Sequence, residues 1–334
     1  MKNKLLLTTA LATSLVAVNT ASFADAKVSG SVEYTYNTAE DTASNSEGAL
    51  GSEETVSFSG SKDADIGTIT TSFKLEDAAI EAPVISITNG DTTVGLGADF
   101  APNLSLTFLP TVGDPAETVA KNVGSALVEL TAAGGTIKNG TGILLSQKFE
   151  GGNLSMFIVP DSVKNTQGGG GDSSNVNSAD ESGAGFNLVY TGNMGVDGLS
   201  VFAGINDITG KNGAADGGAT KLGASYNFGS ITVGVHRDKL ENVALAAAQD
   251  EYTTTGIGVG FAVNENFSIS ATYQETDGDT NGTDVAATEE IRGISAGYNL
   301  GGLGLEFSFA EIKDVAGTRG SDGDAFQIRT VGKF

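Results

Sequence analysis

The sequence predicts an all-β fold, a transmembrane antiparallel β-barrel of about 16 strands. Three observations predict it. Segment after segment alternates apolar and polar residues with a period of two. The connections between these segments are alternately long and short. The chain ends on an aromatic residue, Phe334.

The first 24 residues read as a signal peptide. Lys2 and Lys4 give a basic start, and Leu5 to Val18 give an apolar stretch too short for a spanning helix. Ser22 and Ala24 suit cleavage after Ala24; Ala24 and Ala26 suit cleavage after Ala26. Residues 25–334 then form the barrel. Composition supports β structure: 47 glycines, only five prolines and few of the Lys, Glu and Leu residues that fill helical proteins. Cysteine is absent, which excludes thiol catalysis and Cys-based zinc sites. His236 is the only histidine. The net charge of −23 argues against nucleic-acid binding and favours attraction of cations.

The strands follow in order. In 27–37, Val28, Val32, Tyr34 and Tyr36 share one face, against Ser29, Ser31, Glu33 and Thr35. In 68–76, Ile69, Phe73 and Leu75 oppose Thr70, Ser72 and Lys74. Leu154, Met156 and Ile158 alternate with Ser155 and Phe157. The pattern continues through Phe186, Leu188 and Tyr190, then Leu199 to Ile205, Leu222 to Phe228, and Ile231 to Val235. It resumes at Ile257 to Phe261, Phe267 to Tyr273, Ile294 to Tyr298 and Leu303 to Phe309, and closes on Phe326, Ile328, Thr330 and Phe334. Fainter segments near 53–60, 83–88, 92–98 and 141–149 complete sixteen.

Short turns fall at 61–66, 89–91, 150–151, 192–196, 228–229, 263–265 and 300–302. Long loops fall at 39–52, 99–140, 160–183, 206–218, 238–250, 276–288 and 313–323, and 77–82 is shorter than its class. A membrane barrel requires this asymmetry, because short turns line one rim and long loops the other. Closure also removes the sheet edges that lipid could not satisfy. Tyr34, Tyr36, Tyr190, Tyr226, Phe261, Tyr273, Phe309 and Phe334 supply interfacial girdles. A soluble β-sandwich is the competing fold, but it has shorter strands and no loop asymmetry.

These features resemble the general diffusion porins of Gram-negative bacteria, over the whole mature chain. The resemblance rests on the signal peptide, the opening Val-x-Gly-x-Val-x-Tyr-x-Tyr of Val28 to Tyr36, the strand count and Phe334. The opening is most similar to alphaproteobacterial porins. The resemblance implies an outer-membrane location after export to the periplasm, homotrimers, and passive passage of small hydrophilic solutes. It also implies that the barrel-assembly machinery reads Phe334. Three departures stand out. The connection after the third strand is short, the enterobacterial Pro-Glu-Phe-Gly-Gly pore-loop motif is missing, and no arginine cluster marks one wall.

The segment 99–140 follows the fifth strand, where the family folds a loop inward. It holds Pro102, Pro110 and Pro115, which suits a shaped coil. Its acids Asp99, Asp114, Glu117 and Glu129 are the candidate constriction acids. Alternatively, Leu104 to Phe108 and Ala126 to Leu130 form two more strands, giving eighteen. By parity, Lys74, Lys148, Lys221, His236 and Arg329 point into the lumen, with His236 read as a hydrated rim group. Opposed acidic and basic walls would set a transverse field across the bore.

Asp277, Asp279, Asn281 and Gly282 match the start of a calcium loop. Position 12 is Thr288, with Glu289 one place late, and no helix flanks the segment. Calcium there is the one metal candidate; no other cofactor is expected, and an acidic surface loop is the alternative. Divalent ions bridging acidic loops to lipopolysaccharide are a separate expectation. The glycine run 168–171 lacks the Lys-Ser/Thr of a phosphate loop and reads as a flexible outer loop.

The expectation is a non-enzymatic, water-filled channel that prefers cations. One rival is a structural or adhesive barrel with a blocked lumen. Another is an outer-membrane lipid hydrolase, which would need a nucleophile paired with His236.

Overall fold

The structure, a computed structural model, describes residues 25–41, 45–76, 79–97, 109–112, 142–159, 184–209, 216–241, 251–280 and 283–334. In chain order the strands are β1 (Asp25–Asp41), β2 (Asn45–Ala64), β3 (Gly67–Glu76), β4 (Ala79–Asn89), β5 (Thr92–Gly97) and β6 (Gly142–Phe149). Then come β7 (Gly152–Val159), β8 (Gly185–Gly192), β9 (Leu199–Ile208), β10 (Gly217–Asn227), β11 (Ile231–Glu241) and β12 (Glu251–Ala262). The last are β13 (Phe267–Thr280), β14 (Thr283–Asp284), β15 (Glu289–Asn299), β16 (Leu303–Lys313) and β17 (Gly323–Lys333). Strand β14 is a two-residue continuation of the hairpin between β13 and β15, which pair with each other directly, so the wall is a closed ring of 16 strands.

Every neighbouring pair is antiparallel, and β1 pairs with β17 from Ser31↔Lys333 to Asp41↔Gly323. Closure leaves no edge strand, which a bilayer demands. Eighteen strands are ruled out by pairing. β5 lies directly against β6, from Thr92↔Gln147 to Gly97↔Gly142, with no room for two strands between them. Gly90 (φ 57°) and Gly151 (φ 87°) adopt left-handed backbone in two of the short turns, where a side chain would be strained.

Burial is inverted relative to a soluble protein. Ile294, Ile257 and Val235 are 60%, 51% and 48% exposed, while Ser295, Thr272 and Thr254 are buried. The exposed apolar face meets acyl chains, and the buried polar face lines the interior. On the outer face, Phe149 stacks on Tyr190, Tyr226 tilts against Phe228, and Phe267 lies near Tyr298. All six lie near the short-turn rim and form one girdle. At the other limit of the apolar band the Arg292 guanidinium sits over Tyr273, 5.7 Å from its ring centre.

Two expectations are corrected. Residues 39–52 are not a long loop: β1 and β2 stay paired to Glu40↔Asn45. Strand β13 likewise runs on to Thr280, inside the expected 276–288 loop. In both places the strands run on where the sequence no longer alternates apolar with polar residues, so the period-two signal fades. Among the described residues, β5 has 6 residues and β6 to β8 have 8 each, against 17 and 20 for β1 and β2. In β4, Pro83 sits at a register shift between Ser72↔Val84 and Lys74↔Glu81, where a missing N–H costs nothing.

Candidate functional site

The interior face carries three described charge clusters. On β10 and β11, Lys221 and Asp238 are directly paired across the strands. Lys221 Nζ lies 3.2 Å from Asp238 Oδ2, and His236 Nδ1 lies 3.0 Å from the same oxygen. All three side chains are 4–6% exposed. His236 is therefore no hydrated rim group, which corrects that expectation. Its ring lies over Gly256, the residue across the ladder, where a Cβ would meet Nε2 at 2.1 Å. Glycine there makes the space for a flat imidazole. Asp238 escaped the sequence reading, although His-x-Asp puts both side chains on one face of a strand.

The second cluster crosses the seam that closes the barrel. Arg329 Nε is 3.0 Å from Glu33 Oε1, and its Nη1 is 3.7 Å from Glu306 Oε2. Glu53 stands directly across β1 and β2 from Glu33. The third is Lys74 with Glu76 on β3. Lys148 also lies on the inner face, but near the Glu150–Gly151 turn and exposed. In these three clusters acids sit beside the bases on the same wall, so Lys74, Lys221 and Arg329 each face a carboxylate. Above the apolar band, Lys239 lies between Glu241 and Glu251; by accepting its hydrogen bonds they hold its ammonium above the usual lysine pKa.

The connection from β5 to β6 enters the barrel. Its described residues, Leu109 to Val112, lie against the lumen faces of β12, β13 and β15. Val112 N donates to Ser270 Oγ at 3.1 Å. Ser270 in turn bonds Ser295 across β13 and β15. Cβ atoms added at Gly258 and Gly260 would meet Leu109 and Pro110 at 3.0–3.2 Å. A lumen-face Gly-x-Gly-x-Gly run, Gly256 to Gly260, was the available signal for this close approach. The candidate acids Asp99, Asp114, Glu117 and Glu129 lie outside the described residues.

Asp277 and Asp279 share one face of extended β13, and Asp277 Oδ1 accepts a hydrogen bond from Thr288 Oγ1 at 2.6 Å. Asn281 lies outside the described residues. Among the described residues no group of three or more His, Cys, Asp or Glu side chains converges in a metal centre. The wall also carries buried apolar side chains. Phe157 and Phe202 face inward on β7 and β9, and Ala39, Ile291, Ala310, Ile312 and Ala325 form a cluster with Val315.

A closed, lipid-facing barrel with a polar bore and a loop folded inside defines a membrane pore. The family model for Gram-negative porins matches residues 8–317, and the chain belongs to that family. It is an outer-membrane, multi-pass β-barrel whose family and fold are those of pores for passive diffusion. No curated protein matches it. Among solved structures, it is similar to OmpF of Salmonella typhi in complex with daunomycin (12% identity, TM-score 0.67, covering 92% of this chain and 97% of that one). It is similar to the anion-selective porin of Comamonas acidovorans (18%, 0.64, 93% and 99%). It is also similar to the trimer form of OmpT of Vibrio cholerae (10%, 0.63, 92% and 99%).

Proposed function

We propose that this chain is a cation-preferring, non-enzymatic diffusion channel for ions and small hydrophilic solutes that works as a homotrimer. The observation that carries it is the inverted wall, apolar outside and polar inside, with a loop reaching into the bore. Cation preference draws on the charge of −23 and on Arg329 being flanked by two carboxylates, with Glu53 beside them. Trimerisation draws on the trimer form of the Vibrio cholerae relative. Removal of residues 1–24 on export, docking of Phe334 to the barrel-assembly machinery, and divalent bridging to lipopolysaccharide complete the proposal. Calcium at Asp277 and Asp279 would need Asn281 and further oxygens above the strand to converge. Isothermal titration with calcium would register no saturable heat if they do not.

Planar-bilayer recordings under a salt gradient test the proposal: reversal toward the cation potential and conductance in triple steps are expected, and clear anion preference refutes the selectivity. A second reading, a structural or adhesive barrel without an open bore, has its own support in the buried inward-facing Phe157, Phe202, Ile291 and Ile312. The absence of any conductance from folded protein would favour it.

A further inference from the structure

We infer that Gly30 is the seat that selects β17 as the partner of β1: the free border of β1 is a docking surface for an extended strand whose aromatic side chain falls opposite that glycine. This role holds whether or not the bore conducts.

β1 and β17 pair from Ser31↔Lys333 to Asp41↔Gly323, and Gly30 with Phe334 adds one more rung. Gly30 N donates to Phe334 O, and Phe334 N donates to Gly30 O, both at 3.0 Å. Backbone bonds of this kind repeat along the ladder, so they join two strands without choosing their register. Side chains must choose it. On its outer face β1 presents Val28, Gly30, Val32, Tyr34 and Tyr36 in turn, and Gly30 is the one glycine of the strand. The Phe334 ring lies over it. A Cβ at Gly30 would come within 2.9 Å of Phe334 Cε1 and 2.7 Å of the Thr55 carbonyl oxygen, both closer than ordinary contact. Glycine thus opens a notch between Val28 and Val32. The ring remains 70% exposed on its other side, so the contact selects register more than it adds stability.

A slip of one residue would turn every side chain of β17 to the wrong face. A slip of two keeps the faces but carries the ring onto Val28 or Val32, where a stiff, branched side chain already stands. Among these registers only the observed one lays the ring on bare backbone. The same fit recurs elsewhere in the wall. Tyr252 packs against Gly278, its partner across β12 and β13, where a Cβ would meet the ring at 2.6 Å. Tyr190 likewise covers Gly152 on β7. Rings placed in this way make up for the side chain that a glycine lacks. At the seam the fit also serves recognition. Neighbouring strands in a hairpin receive their register from the turn that joins them, but β1 and β17 have no such turn.

A synthetic peptide of residues 323–334 is the probe. Added while the chain folds into lipid vesicles, it should occupy the border of β1 and lower the yield of closed barrel, read by heat-modifiable migration. The chain's own strand competes at an effective concentration of about 1 mM or less, so half-inhibition should fall at or below that value. The same peptide carrying Phe334→Ala should need about two- to fivefold more to reach it. Equal potency of the two peptides on the wild-type chain overturns the seat, and inhibition by neither overturns the docking surface. A Gly30→Val chain, its notch filled, should close more slowly and respond to both peptides alike. A closing Gly30→Val chain that still tells the peptides apart also overturns the seat. If Gly30→Val does not close at all, the comparison of the two peptides on the wild-type chain decides alone.

Discussion

Replacing Asp238 by Asn removes the one carboxylate that Lys221 and His236 share. The ammonium lies 3.2 Å from Asp238 Oδ2 and its side chain is 5% exposed, so water cannot take over the lost role. Breaking a buried ion pair on one side costs about 3–5 kcal/mol, most of it the unpaired charge left behind. The expected result is a loss of that size in urea unfolding of the refolded barrel in detergent or lipid. The double substitution Lys221→Met with Asp238→Leu should recover most of it, since replacing both partners with apolar groups leaves no stranded charge. Function should move as well. Asp238→Asn leaves Lys221 without its carboxylate on the inner face and should shift the reversal potential toward anions. A stability loss below about 1 kcal/mol, with the reversal potential unmoved, would show that the pair is solvated and that the burial argument is wrong.

Arg329→Ala should act with the opposite sign, because it releases the Glu33 and Glu306 carboxylates and strengthens cation preference in the same salt-gradient measurement. The orientation of the wall is checked by placing arginine on each face. Ile294→Arg, on the outer face at 60% exposure, should cost about 2–4 kcal/mol in lipid, and Ser29→Arg, on the inner face near the rim, should cost little. Phe334→Ala should lower stability in vitro by less than about 1 kcal/mol, since the ring is 70% exposed, yet should reduce the amount of barrel reaching the outer membrane if the assembly machinery reads it. Equal outer-membrane levels of the two proteins, measured by fractionation, would remove that role.

The fold was legible because lipid and water impose opposite demands on successive residues. Val28, Val32 and Tyr34 against Ser29, Ser31 and Glu33 show it within a single strand. The signal ended where the alternation ended: Thr276 to Thr280 contain no apolar side chain and Asn45 to Ser52 show no period of two, so both read as loop. The site was legible only in direction. Parity put Lys221, His236 and Arg329 on the inner face, but their partners come from other strands. Arg329 meets Glu33 only because the first and last strands pair. The burial of His236 depends on the absent side chain of Gly256 on the neighbouring strand. Leu109 and Pro110 find their seat more than 140 residues along the chain, beyond the reach of any local periodicity.

The seam between the first and last strands has a temporal consequence. Gly30 and Phe334 exchange both backbone hydrogen bonds at 3.0 Å, so the wall closes only when two strands about 300 residues apart in sequence meet. Until then two unpaired borders stay available to any passing peptide, and contacts so distant in sequence form slowly. A premature stop codon that removed only β17 would strand an otherwise complete wall with both borders open, ready for aggregation or proteolysis.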